Sequence, residues 1–147
     1  TTTLANQLGL YVVIYSPLQM AADLPKNYMR FPDAFQFIKD VALDWDKSVY
    51  LEAEPGEYVT IARKEKGTDN WFVGNSNGYN KRNAEIDFSF LDKNKKYTAT
   101  IYRDSKDADY AKNPQSYKIE TKTVTSKSKI KIPTVSAGGF AISIFPN

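Results

Sequence analysis

The apolar residues of this chain change period part-way along, and that change limits the fold more than any other feature. Up to Val41 they recur at helical spacing: Leu4, Leu8, Tyr11, Val12 and Tyr15 share one face, while Leu10, Val13 and Ile14 make the opposite side apolar too. A helix apolar all round is a buried helix. From Val49 the period is two, clearest where Ala84, Ile86, Phe88 and Phe90 alternate with Glu85, Asp87 and Ser89, and where Tyr97, Ala99 and Ile101 alternate with Thr98, Thr100 and Tyr102. The pattern predicts a mainly β chain: two helices and a short segment, then an antiparallel β-sandwich of about eight strands.

The expected strands are 49–53, 58–63, 71–73, 84–90, 96–102, 117–123, 129–132 and 140–145. Turn chemistry separates them at Pro55-Gly56, Lys66-Gly67, Asn75-Ser76-Asn77-Gly78, Asp92-Lys93-Asn94 and Gly138-Gly139. The first helix is expected over 4–15, capped by Thr2 or Thr3 and stopped at Ser16-Pro17, because a residue before proline avoids the helical region. Segment 17–22 is short and apolar and suits either a buried parallel strand or a continuation of the helix. A second helix starts at Pro32-Asp33 and runs to about Val41, with Ala34, Ile38 and Val41 on one face.

At 147 residues the chain holds one ordinary domain, and a helical piece ahead of a β piece reads as one domain plus a remnant of something larger. Expected boundaries are 1–47 and 48–147. The net charge of +3 is spread over loops and strands without a basic helix, so no nucleic-acid partner is expected. No apolar run reaches the length of a membrane span. With 0 Cys there is neither a thiol nucleophile nor a disulfide, and with 0 His the commonest general base and metal ligand are gone. Any chemistry would rest on carboxylates, Tyr, Lys or Ser.

Three groups of residues could carry such chemistry. Asp104, Asp107 and Asp109 could offer oxygen ligands to a hard cation, but the spaced ligands and glycine of a known calcium loop are missing, so a solvated loop is the better reading. Glu52, Glu54 and Glu57 supply paired carboxylates of the kind glycoside hydrolysis uses, yet on one strand and a Pro-Gly turn nothing encloses them. Trp71, Tyr79, Tyr102 and Tyr110 could stack on sugar rings. Strand aromatics are usually core, which is the reading favoured for Trp71, whereas Tyr79 and Tyr110 lie in loops and stay open.

The residues Thr2-Thr3, Ala5, Gln7-Leu8, Leu10-Tyr11-Val12, Ser16-Pro17-Leu18-Gln19-Met20, Asp23, Pro25 and Tyr28 resemble the last stretch of a glycoside hydrolase family 97 catalytic barrel. Further on, Glu54-Pro55-Gly56-Glu57-Tyr58-Val59, Trp71-Phe72-Val73-Gly74, Tyr97-Thr98-Ala99-Thr100-Ile101-Tyr102-Arg103-Asp104 and Gly138-Gly139-Phe140-Ala141-Ile142 resemble that family's C-terminal β domain. The resemblance implies a parent with an N-terminal β-sandwich, a (β/α)8 barrel and a C-terminal β domain, acting on α-glucosidic or α-galactosidic bonds with calcium near its active site. It implies a periplasmic or secreted bacterial enzyme, whose signal peptide is not in this chain. By the same resemblance 4–15 is the helix before the eighth barrel strand, 17–22 is that strand and 32–41 is the closing helix.

The family's catalytic Glu residues and calcium ligands fall upstream, so no catalytic residue is carried over and no cofactor is expected in this chain. Asp23 follows the implied eighth strand, where barrels place their chemistry, and becomes a substrate-binding candidate in the intact parent. The chain departs from the family pattern at Asn6, where His is frequent, and at Gly9, where Ala is frequent; Gly costs about 1 kcal/mol against Ala inside a helix. The resulting expectation is a non-catalytic C-terminal domain that braces the barrel or joins subunits. The apolar helix faces, deprived of the barrel, predict a homo-oligomer. A carbohydrate-binding module that takes an α-glycan through Tyr79 and Tyr110 is the alternative.

Overall fold

The computed structural model describes residues 2–14 and 30–147, so segment 17–22 and Asp23 lie outside the described residues. Helices α1 (Leu4–Val13) and α2 (Pro32–Asp40) precede eight strands: β1 (Trp45–Glu54), β2 (Tyr58–Glu65), β3 (Trp71–Asn77), β4 (Arg82–Asp87), β5 (Tyr97–Asp104), β6 (Tyr117–Val124), β7 (Lys129–Thr134) and β8 (Gly139–Pro146). The strands form a six-stranded antiparallel sheet in the order β1-β2-β3-β8-β5-β6 and a two-stranded antiparallel sheet, β4-β7.

Both faces of the large sheet are covered, by different partners. Val73, Ala99, Ile101, Ile142 and Ile144 point toward the small sheet and pack with Ala84, Ile86, Phe88 and Ile132. On the opposite face Phe72, Tyr102 and Ala141 pack under Leu4, Leu8, Tyr11 and Val12 of α1 and Ala34 and Phe37 of α2. The helix faces expected to await a barrel are therefore covered by the chain's own sheet, and the reason given for self-association falls away. The layers read helix, sheet, small sheet.

Local chemistry explains the helix ends. Thr3 caps α1, its side chain accepting from the Asn6 amide at 3.2 Å. At the other end the buried Arg63 of β2 donates from Nε to the Val12 carbonyl at 2.6 Å, from Nη2 to that of Val13 at 3.1 Å and from Nη1 to Ser48 Oγ at 2.6 Å. A cation on the last carbonyls satisfies their orphan acceptors and the negative end of the helix dipole. The close approach of α1 needs Gly9: a Cβ there would stand 2.4 Å from the Asn75 carbonyl oxygen and 2.6 Å from that of Phe140. The glycine expected only to weaken the helix is what lets it lie on the sheet.

Two sequence readings are corrected. The alternation over 84–90 predicts one strand, but β4 ends at Asp87 and Phe88–Phe90 is a turn of 3-10 helix. The Asp87 carboxylate accepts from the Ser89 amide at 3.0 Å and turns the chain, while Phe88 and Phe90 still reach the core. Asn75-Ser76-Asn77, read as a turn, is the end of β3, since the buried Asn75 and Asn77 spend their amides on each other and on Thr60 instead of on a turn.

Candidate functional site

The β1–β2, β3–β4, β5–β6 and β7–β8 connections gather at one end of the sandwich, together with the start of α1. Backbone bonds tie them: Gly78 N to Glu57 O at 2.8 Å, Ala137 N to Gly78 O at 2.7 Å, Thr3 N to Ala137 O at 3.2 Å and Leu4 N to Pro114 O at 2.7 Å. Asn6 fastens the helix to this end, donating from Nδ2 to the Gly138 carbonyl at 2.7 Å and accepting from Ser76 Oγ at 3.2 Å. Sequence reasoning noticed Asn6 only as a departure from a pattern. Its role depends on residues 70 and 132 positions away, which no local signal reports.

Asp104 belongs to the same knot. It is buried, and its Oδ2 accepts from the Gly139 amide at 2.9 Å while Oδ1 has no hydrogen-bond partner. Burial pushes its carboxyl up from the ordinary value, and hydrogen bonds and nearby Arg103 offset part of that. The other two acidic residues are engaged elsewhere in the loop. Asp107 accepts from Ser105 Oγ at 2.6 Å, Ser116 Oγ at 2.9 Å and Asn113 Nδ2 at 3.2 Å, and Asp109 from the amides of Ala111 and Lys112 at 2.9 Å. The hydrogen bonds hold both carboxyls below the ordinary range. The three do not converge, and among the described residues no group of three or more acidic side chains is arranged to hold a metal ion.

Two of the three candidate glutamates are likewise occupied, while the exposed Glu54 makes no side-chain hydrogen bond or ion pair among the described residues. Glu52 forms a bidentate pair with Arg82, both distances 2.9 Å, and the Arg82 guanidinium lies 3.5 Å over the Tyr58 ring. Glu57 accepts from Asn80 Nδ2 at 2.8 Å. Trp71 and Tyr102 are buried, Trp71 4.8 Å from Phe90 and Tyr102 5.4 Å from Phe37 on opposite faces of the sheet. Burial pushes the Tyr102 hydroxyl up to about 12.

Tyr79 and Tyr110 are brought together. They come from the β3–β4 and β5–β6 connections and meet with ring centroids 5.4 Å apart at an interplanar angle of 65°, with Tyr79 68% exposed. Four other large apolar side chains are exposed among the described residues: Ile14, Leu43, Val49 and Tyr50. Sequence patterning named Ile14 on the second apolar side of the first helix and Val49 at the start of a strand, but did not mark Leu43 or Tyr50, because exposure along β1 depends on its place at the sheet edge.

The two sheets lie under a helical cover, and among the described residues no group of acidic side chains converges on a metal-holding site. A family model described as glycosyl-hydrolase 97 C-terminal, oligomerisation, matches residues 44–145. The chain belongs to that family. A retaining alpha-galactosidase of Bacteroides thetaiotaomicron is 40% identical over 142 residues, 97% of this chain and 21% of that protein. A probable retaining alpha-galactosidase of Streptomyces bingchenggensis is 27% identical over 137 residues, 93% of this chain and 20% of that protein. The solved structure of a glycoside hydrolase family 97 enzyme in complex with acarbose, from Pseudoalteromonas sp. strain K8, superposes with a TM-score of 0.91 at 39% identity, covering 99% of this chain and 23% of that one. This family 97 chain thus spans about a fifth of the length of the curated relatives it matches.

Proposed function

We propose that this family 97 domain is the non-catalytic end of a retaining α-glycosidase, joining copies of the enzyme and bracing the catalytic portion that precedes it. The observation that carries the reading is the engagement of the carboxylates: Glu52 with Arg82, Glu57 with Asn80, Asp107 and Asp109 with their own loop, and Asp104 with Gly139. A glycosidase needs two carboxyl groups facing each other across a sugar, and of the candidate glutamates only the exposed Glu54 is unengaged, which leaves no such pair among them. The activity of the whole enzyme rests on residues outside this chain. The retaining alpha-galactosidase relative at 40% identity and the family 97 enzyme solved with acarbose at 39% keep both α-galactosidic and α-glucosidic bonds as its substrate class. Calcium, if the whole enzyme uses it, would be held by that catalytic portion, because the donor set here is already spent on hydrogen bonds. A periplasmic or secreted setting rests on the family resemblance alone, since a chain without Cys suits an oxidising and a reducing compartment equally.

The test is to assay the full-length enzyme and this chain alone on aryl α-galactosides and aryl α-glucosides. Turnover by the full-length enzyme and none by the chain is expected; turnover by the chain overturns the reading.

A second reading has one observation in its favour. The meeting of Tyr79 and Tyr110 across two tied loops leaves the exposed Tyr79 ring able to stack on a pyranose. An α-glycan bound there would give a titratable affinity for maltooligosaccharides or α-galactosides that Tyr79→Ala removes. Equal heats from wild type and variant would dismiss it.

A further inference from the structure

We propose that the cleft between β6 and β7 is a binding site for a small oxyanion, a carboxylate or a phosphate group, held by the guanidinium of Arg103. This site is independent of the joining role and lies apart from the tied loops at the end of the sandwich.

The cleft follows from pairing a sheet of six strands with a sheet of two. In the β5–β6 register Ala99 stands opposite Lys122, Ile101 opposite Glu120 and Arg103 opposite Lys118. Directly opposed residues of an antiparallel pair share a face. Ala99 and Ile101 pack toward the small sheet, so Arg103, Lys118, Glu120 and Lys122 turn to that side too. Beside β7 they leave a cleft of about 280 Å3, walled by Arg103, Glu120 and Lys122 on one side and by Ile130, Lys131 and Pro133 on the other. That volume falls just below the range of sites for drug-sized ligands and suits a single small anion.

Charge selects the ligand. Glu120 is shared by three cations, with Arg103 Nε and Lys118 Nζ at 3.2 Å and Lys122 Nζ at 4.0 Å, while Lys131 has Glu85 at 3.6 Å. Cations therefore outnumber carboxylates around the cleft. Geometry places the grip at Arg103. Glu120 takes only its Nε, and Nη1 and Nη2 donate to no described residue, on a side chain 19% exposed. The other two strand arginines have their forks filled: Arg82 holds Glu52 through both Nη atoms, and Arg63 spends Nε, Nη1 and Nη2 on Val12, Ser48 and Val13. The open end of the Arg103 fork matches two oxygens of a carboxylate or phosphate. The apolar wall of Ile130 and Pro133 opposite it strengthens such a bond by keeping water away.

The experiment is calorimetric titration of the full-length enzyme at low salt with inorganic phosphate and, separately, with sodium glucuronate. Wild type, Arg103→Gln and Lys122→Gln are compared, with thermal melts as the folding control. Saturable binding of at least one probe is expected, weakened about tenfold by Arg103→Gln and about threefold by Lys122→Gln. The variants separate this cleft from any other anion site of the full-length enzyme, and Lys122→Gln decides the matter if loss of the Glu120 pair unfolds Arg103→Gln. Phosphate alone assigns a tetrahedral ligand, and glucuronate alone a carboxylate. No saturable heat from either probe, or folded variants that bind as wild type does, overturns the proposal.

Discussion

Asp104 shows how a residue's role follows from its surroundings and not from its spacing. Three aspartates within six positions suggest a cation loop, yet one is buried against Gly139 and the other two cap and staple their own loop. Because burial raises the Asp104 pKa, the folded chain keeps that proton to a higher pH than the unfolded chain, whose value is about 3.9. Stability from this group is full below about pH 3.9 and is lost as pH rises through the raised folded value. Asp104→Asn keeps a carbonyl for the Gly139 amide and removes the titration. Melting curves from pH 4 to 8 should show the variant gaining on wild type as pH rises; parallel profiles would mean that Asp104 ionises freely in the fold. At this scale the sequence was a poor guide, since Asn6, Arg63 and Asp104 all act on partners distant along the chain.

Elements were more legible than residues. Alternating or strand-forming residues mark all eight strands, and Thr3 and Pro32 mark both helix starts. What escaped detection was local competition: the Asp87 side chain interrupts an alternation that otherwise reads straight through Phe90. The seat of α1 was also invisible, because a glycine in a helix shows its propensity cost and hides its packing reason. Gly9→Ala tests that reason. Propensity predicts a gain of about 1 kcal/mol, whereas a methyl group forced against two backbone carbonyls costs about 1–3 kcal/mol. Denaturant unfolding should show a net loss, and a more stable variant would mean that the helix shifts freely across the sheet.

At the scale of the whole molecule the helices are part of the domain's core, whatever they adjoin in a longer chain. Leu4, Leu8 and Val12 are buried on the sheet, each contributing about 1.5–3 kcal/mol against a typical total stability of 5–15 kcal/mol. A chain beginning after α1 should therefore bind a hydrophobic dye and lose its cooperative melt, because Phe72, Tyr102 and Ala141 would be uncovered. A sharp melt from that shortened chain would place the helix outside the cooperative unit.

The strand order carries a consequence for how the domain is made. β8 is the last strand in the chain but lies between β3 and β5, at the middle of the large sheet. Until it leaves the ribosome, the nascent domain holds two half-sheets, β1-β2-β3 and β5-β6, with no strand to join them. Their apolar inner faces must wait, and a message cut short before Gly139 yields two open edges where the finished protein has a closed interior.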